Sequence, residues 1–454
     1  MLKQDKSNII IWFLLVLAFA TMMRLVSSVT ADLSFVILAG YALCGRSEAI
    51  QALFLSWLFT MLSEGVAPAL AFGAFGRYIV IFAAAVSIFL RGGWLRHTSR
   101  GSNLVRVTSL LGVLLLLHSL LFSSIVDVSI LKSISFLVVI ITLLAAWENL
   151  SPGERQRTER FVFGGLIAVL LFSLPLIMTG LGYLRNGTGF QGVLNQPQAF
   201  GPTAALVGAM VGGRLLETPR PRRLDLALFV MCLVLTVLSE ARTAGLAMIF
   251  GIFGVIVLLP IFSGMPRRKM LPGLRSRRLK FMAFIFLLCT IIFAPVLSNT
   301  LQGYLFKRSD TTSLIEAAEI SRGVLLLRMV KNIQENPWTG IGFGVASDPR
   351  TMVVSRDPIL GIPYSAPIEK GVLPIAIVEE MGAIGAFVFF AWLLVALRRS
   401  AHVGANKFAI MLTLLLVNLG EYMLFSVGGM GMLLLILLTG AVSTKKQNRV
   451  TNSV

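Results

Sequence analysis

The sequence predicts an all-α polytopic membrane protein, a bundle of about 12–14 transmembrane helices interrupted by one large, partly helical outer loop. Three observations predict it. Of 454 residues, 56% are hydrophobic and only 13% are charged. Uninterrupted apolar runs of roughly 18 to 22 residues recur along the chain, and each can cross a hydrocarbon core of about 30 Å as a helix. The runs are continuous rather than alternating, which argues against a membrane β-barrel.

The spans fall near residues 8–28, 33–45, 49–68, 73–90, 104–124, 129–148, 161–182, 199–213, 224–239, 243–263, 281–298, 374–397, 407–422 and 427–442. The second, eighth and last two are short. With the N-terminus in the cytoplasm, 27 of the 40 lysines and arginines fall inside, in clusters such as RGGWLRHTSR, ERQRTER, RPRR and RRKMLPGLRSRRLK. That asymmetry is the positive-inside bias. It also accounts for the formal net charge of +19. The basicity is topogenic and suits contact with anionic membrane lipids. It does not indicate nucleic acid, because the arginine clusters lack interleaved aromatics and a soluble domain to carry them.

Three regions follow from this layout: N-terminal spans over 1–298, an outer loop over 299–373, and C-terminal spans with a cytoplasmic tail over 374–454. Lys3 and Lys6 before an apolar stretch resemble a signal peptide, but the many later spans favour an uncleaved first anchor. Cys44, Cys232 and Cys289 all lie in apolar runs and read as small buried hydrophobes, with no pattern for a disulfide framework or a metal site.

The loop is too long and too varied in composition to be a simple turn. At 100° per residue, Ser313 to Asn336 forms an amphipathic helix, with Ser313 and Glu316 as a capping box and Pro337 as its stop. Arg328, Lys331, Asn332 and Glu335 make its polar stripe. Ile315, Leu326, Met329 and Ile333 make the apolar one. Arg322 lies within the apolar stripe, where a guanidinium must be compensated. It meets either a structural carboxylate such as Glu319 or a cavity that receives an anion. Arg328, on the polar face, reads as a solvated residue. Gly340, Gly342 and Gly344 follow. They lack the strand and helix of a dinucleotide fingerprint and suit a turn packed on the membrane domain. Glu369 and Lys370 are expected at the outer surface just before the next span. Glu380 falls within that span's first turns, where a carboxylate is costly and is usually paired or functional.

Three patches then line up: RMVKNIQENPWTGIGFG (328–344), EKGVLPIAIVEEMGAIG (369–385) and LSEARTAGLAMIFGIFGVIV (238–257). With the long outer loop before the last spans, they resemble the O-antigen ligase/O-antigen polymerase family of bacterial envelope glycosyltransferases. Residues 190–213, FQGVLNQPQAFGPTAALVGAMVGG, are similar to the family's Asn-Pro segment, although Gln196 separates Asn195 from Pro197. The resemblance covers roughly residues 185 to 440 and implies a large periplasmic loop on an inner-membrane enzyme. The donor would be a glycan on undecaprenyl pyrophosphate, and an acceptor hydroxyl would displace the lipid diphosphate. No metal or other cofactor is implied. The partners are the lipid-linked glycan, its glycan acceptor, membrane lipids and, for a polymerase, a chain-length regulator.

Such a reaction needs cations at the leaving diphosphate and a base at the acceptor hydroxyl. The resemblance assigns Arg242, in Ser239-Glu240-Ala241-Arg242 at a helix start, and the loop arginine Arg322 to the diphosphate. The competing reading of Arg242 is a surface pair with Glu240. Lys370 and Arg328 are further candidate ligands. Arg185 is another, with snorkelling at the interface as its simpler reading. The family's ligases carry a loop histidine where this chain has Glu369-Lys370. Here His97 and His402 sit on cytoplasmic turns, and His118 lies inside a span, where a helix partner is its simplest account. Glu369 is therefore the candidate base, and the missing histidine favours a polymerase over a ligase. A polysaccharide or lipid-linked glycan transporter and a non-catalytic membrane partner are the other classes. Transporters tend to show internal repeats, and no repeat relates the halves of this chain.

The two loop arginines give a direct test. Arg322→Ala should abolish surface polymer at normal protein level, while Arg328→Ala should leave chain lengths close to wild type on a polysaccharide gel. Full loss in Arg328→Ala would show the helical phasing to be wrong.

Overall fold

The computed structural model describes residues 2–71, 75–92, 102–292, 314–357 and 361–443. Within these the chain is mostly helical. The first half runs α1 (Leu2–Val26), α2 (Ser28–Cys44), α3 (Arg46–Met61), α4 (Phe75–Leu90), α5 (Ser102–Phe122), α6 (Val126–Glu148) and α7 (Pro152–Ser173). An irregular segment with two 3-10 turns follows, then α8 (Pro197–Glu217), α9 (Arg223–Leu238), α10 (Arg242–Ser263), a four-residue α11 (Arg267–Met270) and α12 (Arg277–Ile292). Then come α13 (Leu314–Glu335) and two short antiparallel strands, β1 (Ser355–Arg356) and β2 (Pro363–Ser365). The chain ends with α14 (Leu373–Val403), α15 (Ala405–Val417) and α16 (Met430–Val442).

Six described helical segments are long and apolar enough to cross a membrane, and five shorter apolar helices accompany them. Large apolar side chains such as Phe82, Leu121, Phe172, Phe253 and Phe387 are exposed on the outside of the bundle. An apolar surface of that extent requires lipid rather than water. The protein is thus a multi-pass helical membrane protein. The short helices have a physical reason. Both α15 and α16 are buried almost throughout, so neighbouring helices, not lipid, satisfy their surroundings.

The bundle centres on α8, which packs against α9, α10 and α15. Small residues allow the close approach, as expected where van der Waals packing drives helix association. A Cβ on Gly213 would come within 2.4 Å of the Asn406 Cα.

Contacts at the two ends reproduce the alternation expected from the charges. At one end Asn195 N–H bonds the Met61 carbonyl, Phe190 N–H that of Leu238, and Leu373 N–H that of Asn418. At the other, Arg399 pairs with Glu148 at 3.3 Å, Lys407 with Glu159 at 3.0 Å, and Arg155 donates to the Trp147 and Ser443 carbonyls. Residues 336–357 and 361–372 lie at the first of these ends.

The long α14 is broken at Gly382, whose backbone (φ 65°, ψ −177°) leaves the helical region. A side chain there would be strained by its φ, and its Cβ would lie 2.1 Å from the Trp338 carbonyl oxygen. Gly382→Ala is therefore expected to destabilise by about 1–3 kcal/mol. Thermal unfolding in detergent should show a lowered Tm, with Gly153→Ala, on an open helical surface, unchanged.

Candidate functional site

The break in α14 organises the loop-side end. In an unbroken helix the Ala383 N–H would bond the Glu379 carbonyl; here it donates to the Pro337 carbonyl at 2.8 Å. The carbonyls of Glu379 and Glu380 accept instead from the N–H groups of Ile341 (2.9 Å) and Gly342 (3.0 Å). The GIGFG stretch therefore lies across the kink as an added backbone partner. Its other side meets the turn between α5 and α6: Ser124 donates to the Ile341 carbonyl through its N–H (2.9 Å) and its hydroxyl (3.0 Å). A Cβ on Gly340 would sit 2.6 Å from the Glu379 and Glu380 backbone. This position, with φ 67°, admits only glycine without rearrangement.

The carboxyl side chains of the same two glutamates are buried with Lys370. Its Nζ lies 2.8 Å from Glu379 Oε2 and 3.0 Å from Glu380 Oε1, and all three side chains are fully buried. The ammonium is thus paired with both carboxylates. Neutral donors complete the site. Asn332 Nδ2 donates to Glu379 Oε1 at 2.6 Å and Ser347 Oγ to Glu379 Oε2 at 3.1 Å. The Tyr422 hydroxyl and the Gly344 N–H each donate to Glu380 Oε2 at 2.8 Å. Buried charges persist only when paired and hydrogen-bonded in this way. The cluster ties α13, the GIGFG turn, α14 and the segment after α15 into one unit.

Above it lies a cavity of about 300 Å³ between the loop and the bundle. Arg77 of α4, Lys132 of α6 and Tyr422 contribute to its wall, with the glycines leading into α16. Arg77 Nη1 donates to the Gly428 carbonyl at 2.7 Å, and its guanidinium stacks 5.1 Å from the Tyr78 ring centre. Lys132 Nζ donates to the Gly344 carbonyl at 2.8 Å. Tyr78 in turn donates to the Tyr364 carbonyl in β2 at 3.0 Å, which ties that strand to α4 beside the cavity.

The expected site residues divide. Lys370 is corrected: it is not a surface cation open to a diphosphate but a buried counterion, because the chain before α14 folds it back onto Glu379 and Glu380. Its neighbour Glu369 is exposed. Arg242 begins α10, half-buried, just after Glu240 with a positive φ of 56°. No side chain caps that helix start. The adjacent Thr243 packs on Gly420, in the same connection between α15 and α16 that supplies Tyr422. Arg322 lies in α13, but its side chain falls outside the described residues, as do Ser313, Glu319 and His97. Arg328 is half-exposed and 3.5 Å from Asp348. Arg185 is on the surface, 3.8 Å from Glu64, and the structure brings neither into the cavity wall.

Two further expectations change. Asn332, placed on the solvated stripe, turns inward to Glu379. His118 has a loop partner rather than a helix partner: its Nε2 meets the Thr339 carbonyl at 2.5 Å. A carbonyl only accepts, so Nε2 carries the proton there. Arg77 and Lys132 were not distinguishable by sequence reasoning. Both sit at span ends, where basic residues ordinarily snorkel, and only the three-dimensional closure of the loop turns them inward.

The fold and this junction define a multi-pass helical membrane protein in which the segment after α13 is built into one end of the bundle. No family model and no curated protein matches the chain.

Lys370→Met should destabilise by about 3–5 kcal/mol, since it leaves two buried carboxylates without their cation. Adding Glu379→Gln and Glu380→Gln should recover much of that loss in thermal unfolding. A Lys370→Met protein as stable as wild type would show that the pairing is not needed.

Proposed function

We propose that this protein is an inner-membrane glycosyltransferase that polymerises undecaprenyl-pyrophosphate-linked glycan units at the periplasmic face, for O-antigen, capsule or exopolysaccharide. The observation that carries the reading is the loop-covered cavity at the end of the bundle, with Ile368 in its wall and the exposed Glu369 next in the chain. A transferase acting on a lipid-linked substrate needs a polar chamber at one membrane surface, closed over by protein and bordered by spans. The pattern of residues 185–440 supports the same class through its resemblance to the O-antigen ligase/polymerase family.

In the proposed reaction an acceptor sugar hydroxyl attacks the donor's anomeric carbon. The new glycosidic C–O bond forms as the bond to the diphosphate breaks, and the lipid diphosphate leaves with the electron pair. Arg242, at an uncapped helix start, and Arg322 offset the charge that develops on that group. The hydroxyl proton passes to Glu369. That carboxylate is free to serve because Lys370, the adjacent residue, is already committed to Glu379 and Glu380. The buried cation pins the chain, and the exposed carboxylate beside it inherits a fixed position. The absence of any histidine at this point favours polymerisation over ligation.

Sizing both the lipid-linked glycans and the surface polysaccharide of a strain lacking this gene tests the reading. Single repeat units on the lipid, with no long polymer, are expected. Long polymer stranded on the lipid carrier would make the protein a ligase. Unchanged glycans in both pools would remove the enzyme reading. Arg242→Ala, at normal protein level, should reproduce the deletion.

A further inference from the structure

Arg77 and Lys132 line one cavity, yet neither lies within ion-pair distance of a carboxylate among the described residues. Their hydrogen-bond partners are neutral carbonyls, those of Gly428 and Gly344, and Arg77 also stacks on Tyr78. A guanidinium has five donors and an ammonium three, so most of their capacity is unused. The Arg77 Nε is buried with no hydrogen-bond partner among the described residues. The nearby carboxylates cannot make up the difference. Glu379 and Glu380 are shared with Lys370, and Glu380 also accepts from Tyr422 and Gly344. The charged side chains that line the cavity are Arg77 and Lys132, both partly buried. Surface charges are neutralised by solvent and salt, but enclosed ones need a partner.

The rest of the wall has the same bias. Gly428 and Gly429 lead into the 13-residue α16, whose first turn has no side-chain cap. Its N–H groups and its dipole add positive potential. Ser135, Ser365 and Ser426 offer hydroxyls. At about 300 Å³, the cavity lies at the small end of ligand pockets. It suits a headgroup rather than a whole oligosaccharide.

We propose that this cavity binds a diphosphate group, with Arg77 and Lys132 as its two cationic ligands. Arg242 is not part of the cavity wall, so the site is separate from the cation assigned to the donor's leaving group. A polymerase handles two lipid diphosphates, one on the donor and one on the acceptor chain, and the second requires cations of its own. The identity of the lipid rests on the function proposed above; the anion site rests on the geometry alone.

Binding to the purified full-length protein in nanodiscs tests the assignment, with undecaprenyl pyrophosphate in the bilayer as one probe and inorganic pyrophosphate in solution as the other. The lipid probe is expected to bind wild type and to bind Arg77→Gln and Lys132→Gln about tenfold more weakly or worse, as the loss of a charge-assisted contact implies. Arg77→Lys and Lys132→Arg keep the charge and should keep most of the affinity, which separates ligand contact from folding. Inorganic pyrophosphate that binds as well, with the same loss in the variants, would support the anion site and overturn its assignment to a lipid. Affinity for both probes unchanged in the two glutamine variants would overturn the proposal, as would failure of both probes to bind wild type. The glycan pools of the deletion strain decide the enzymatic reading independently of these outcomes.

Discussion

A helix that breaks inside a membrane protein must find new partners for the backbone groups it releases. Everything at the loop-side end follows from how this chain meets that constraint at Gly382. The carbonyls of Glu379 and Glu380 take their hydrogen bonds from Ile341 and Gly342, and Ala383 gives its own to Pro337. Lipid offers no substitute for any of these. The loop is therefore not an appendage on a finished bundle. It completes the hydrogen bonding of α14, and in return the kink gives it a docking edge. Gly340 sits where that edge comes closest, while Gly342 packs on Ser123 and Gly344 on Lys132, and these close approaches explain the alternate spacing better than any phosphate-binding loop does.

The same contact controls the charges. By turning the first part of α14 toward the loop, the kink sets two carboxylates side by side, where a lone cation between them becomes obligatory. Lys370 supplies it from the connection just before the helix, while Asn332, Ser347, Tyr422 and the Gly344 N–H fill the remaining acceptor sites. Replacing such a cluster with well-packed apolar residues often costs no stability. What it contributes here is location: four separate chain segments share one set of counter-charges and so one geometry.

Basic residues at the ends of the bundle meet three different fates. Arg24 is buried and donates to the Phe59 and Pro68 carbonyls. Lys370, Lys407 and Arg399 have carboxylate partners. Arg77 and Lys132 face a cavity. To the sequence all of these are positive charges near a span end, where they serve the orientation rule equally well. The apolar runs and the alternation of ends were legible because each depends on local composition. So was the helix stopped by Pro337, whose polar stripe puts Arg328 on the surface. The direction of Lys370 was not legible, because it depends on a kink at Gly382, twelve residues later, that only a glycine in an otherwise helical run announces. Nor was the inward turn of Asn332, which depends on Glu379 of another helix. A lone histidine within a span, His118, carried some signal, yet its partner is a loop carbonyl that no helical periodicity could indicate.

These fates bear on how the proposed chemistry would be arranged. A base adjacent in sequence to a lysine would ordinarily lose some of its usefulness, since the ammonium would pair with the carboxylate and compete for the substrate's own anionic groups. Burying Lys370 against two glutamates removes that competition: the cation is neutralised within the bundle and its neighbour Glu369 remains outside. Charge for binding anions must then come from elsewhere, and the fold provides it on different elements, at the starts of α4, α6 and α10. The separation has a structural logic. Cations on the spans are fixed by the bundle, whereas the carboxylate sits on the loop that closes over it, so the two halves of the proposed reaction meet only when loop and bundle are docked. The hydrogen bonds across the kink at Gly382 keep them so.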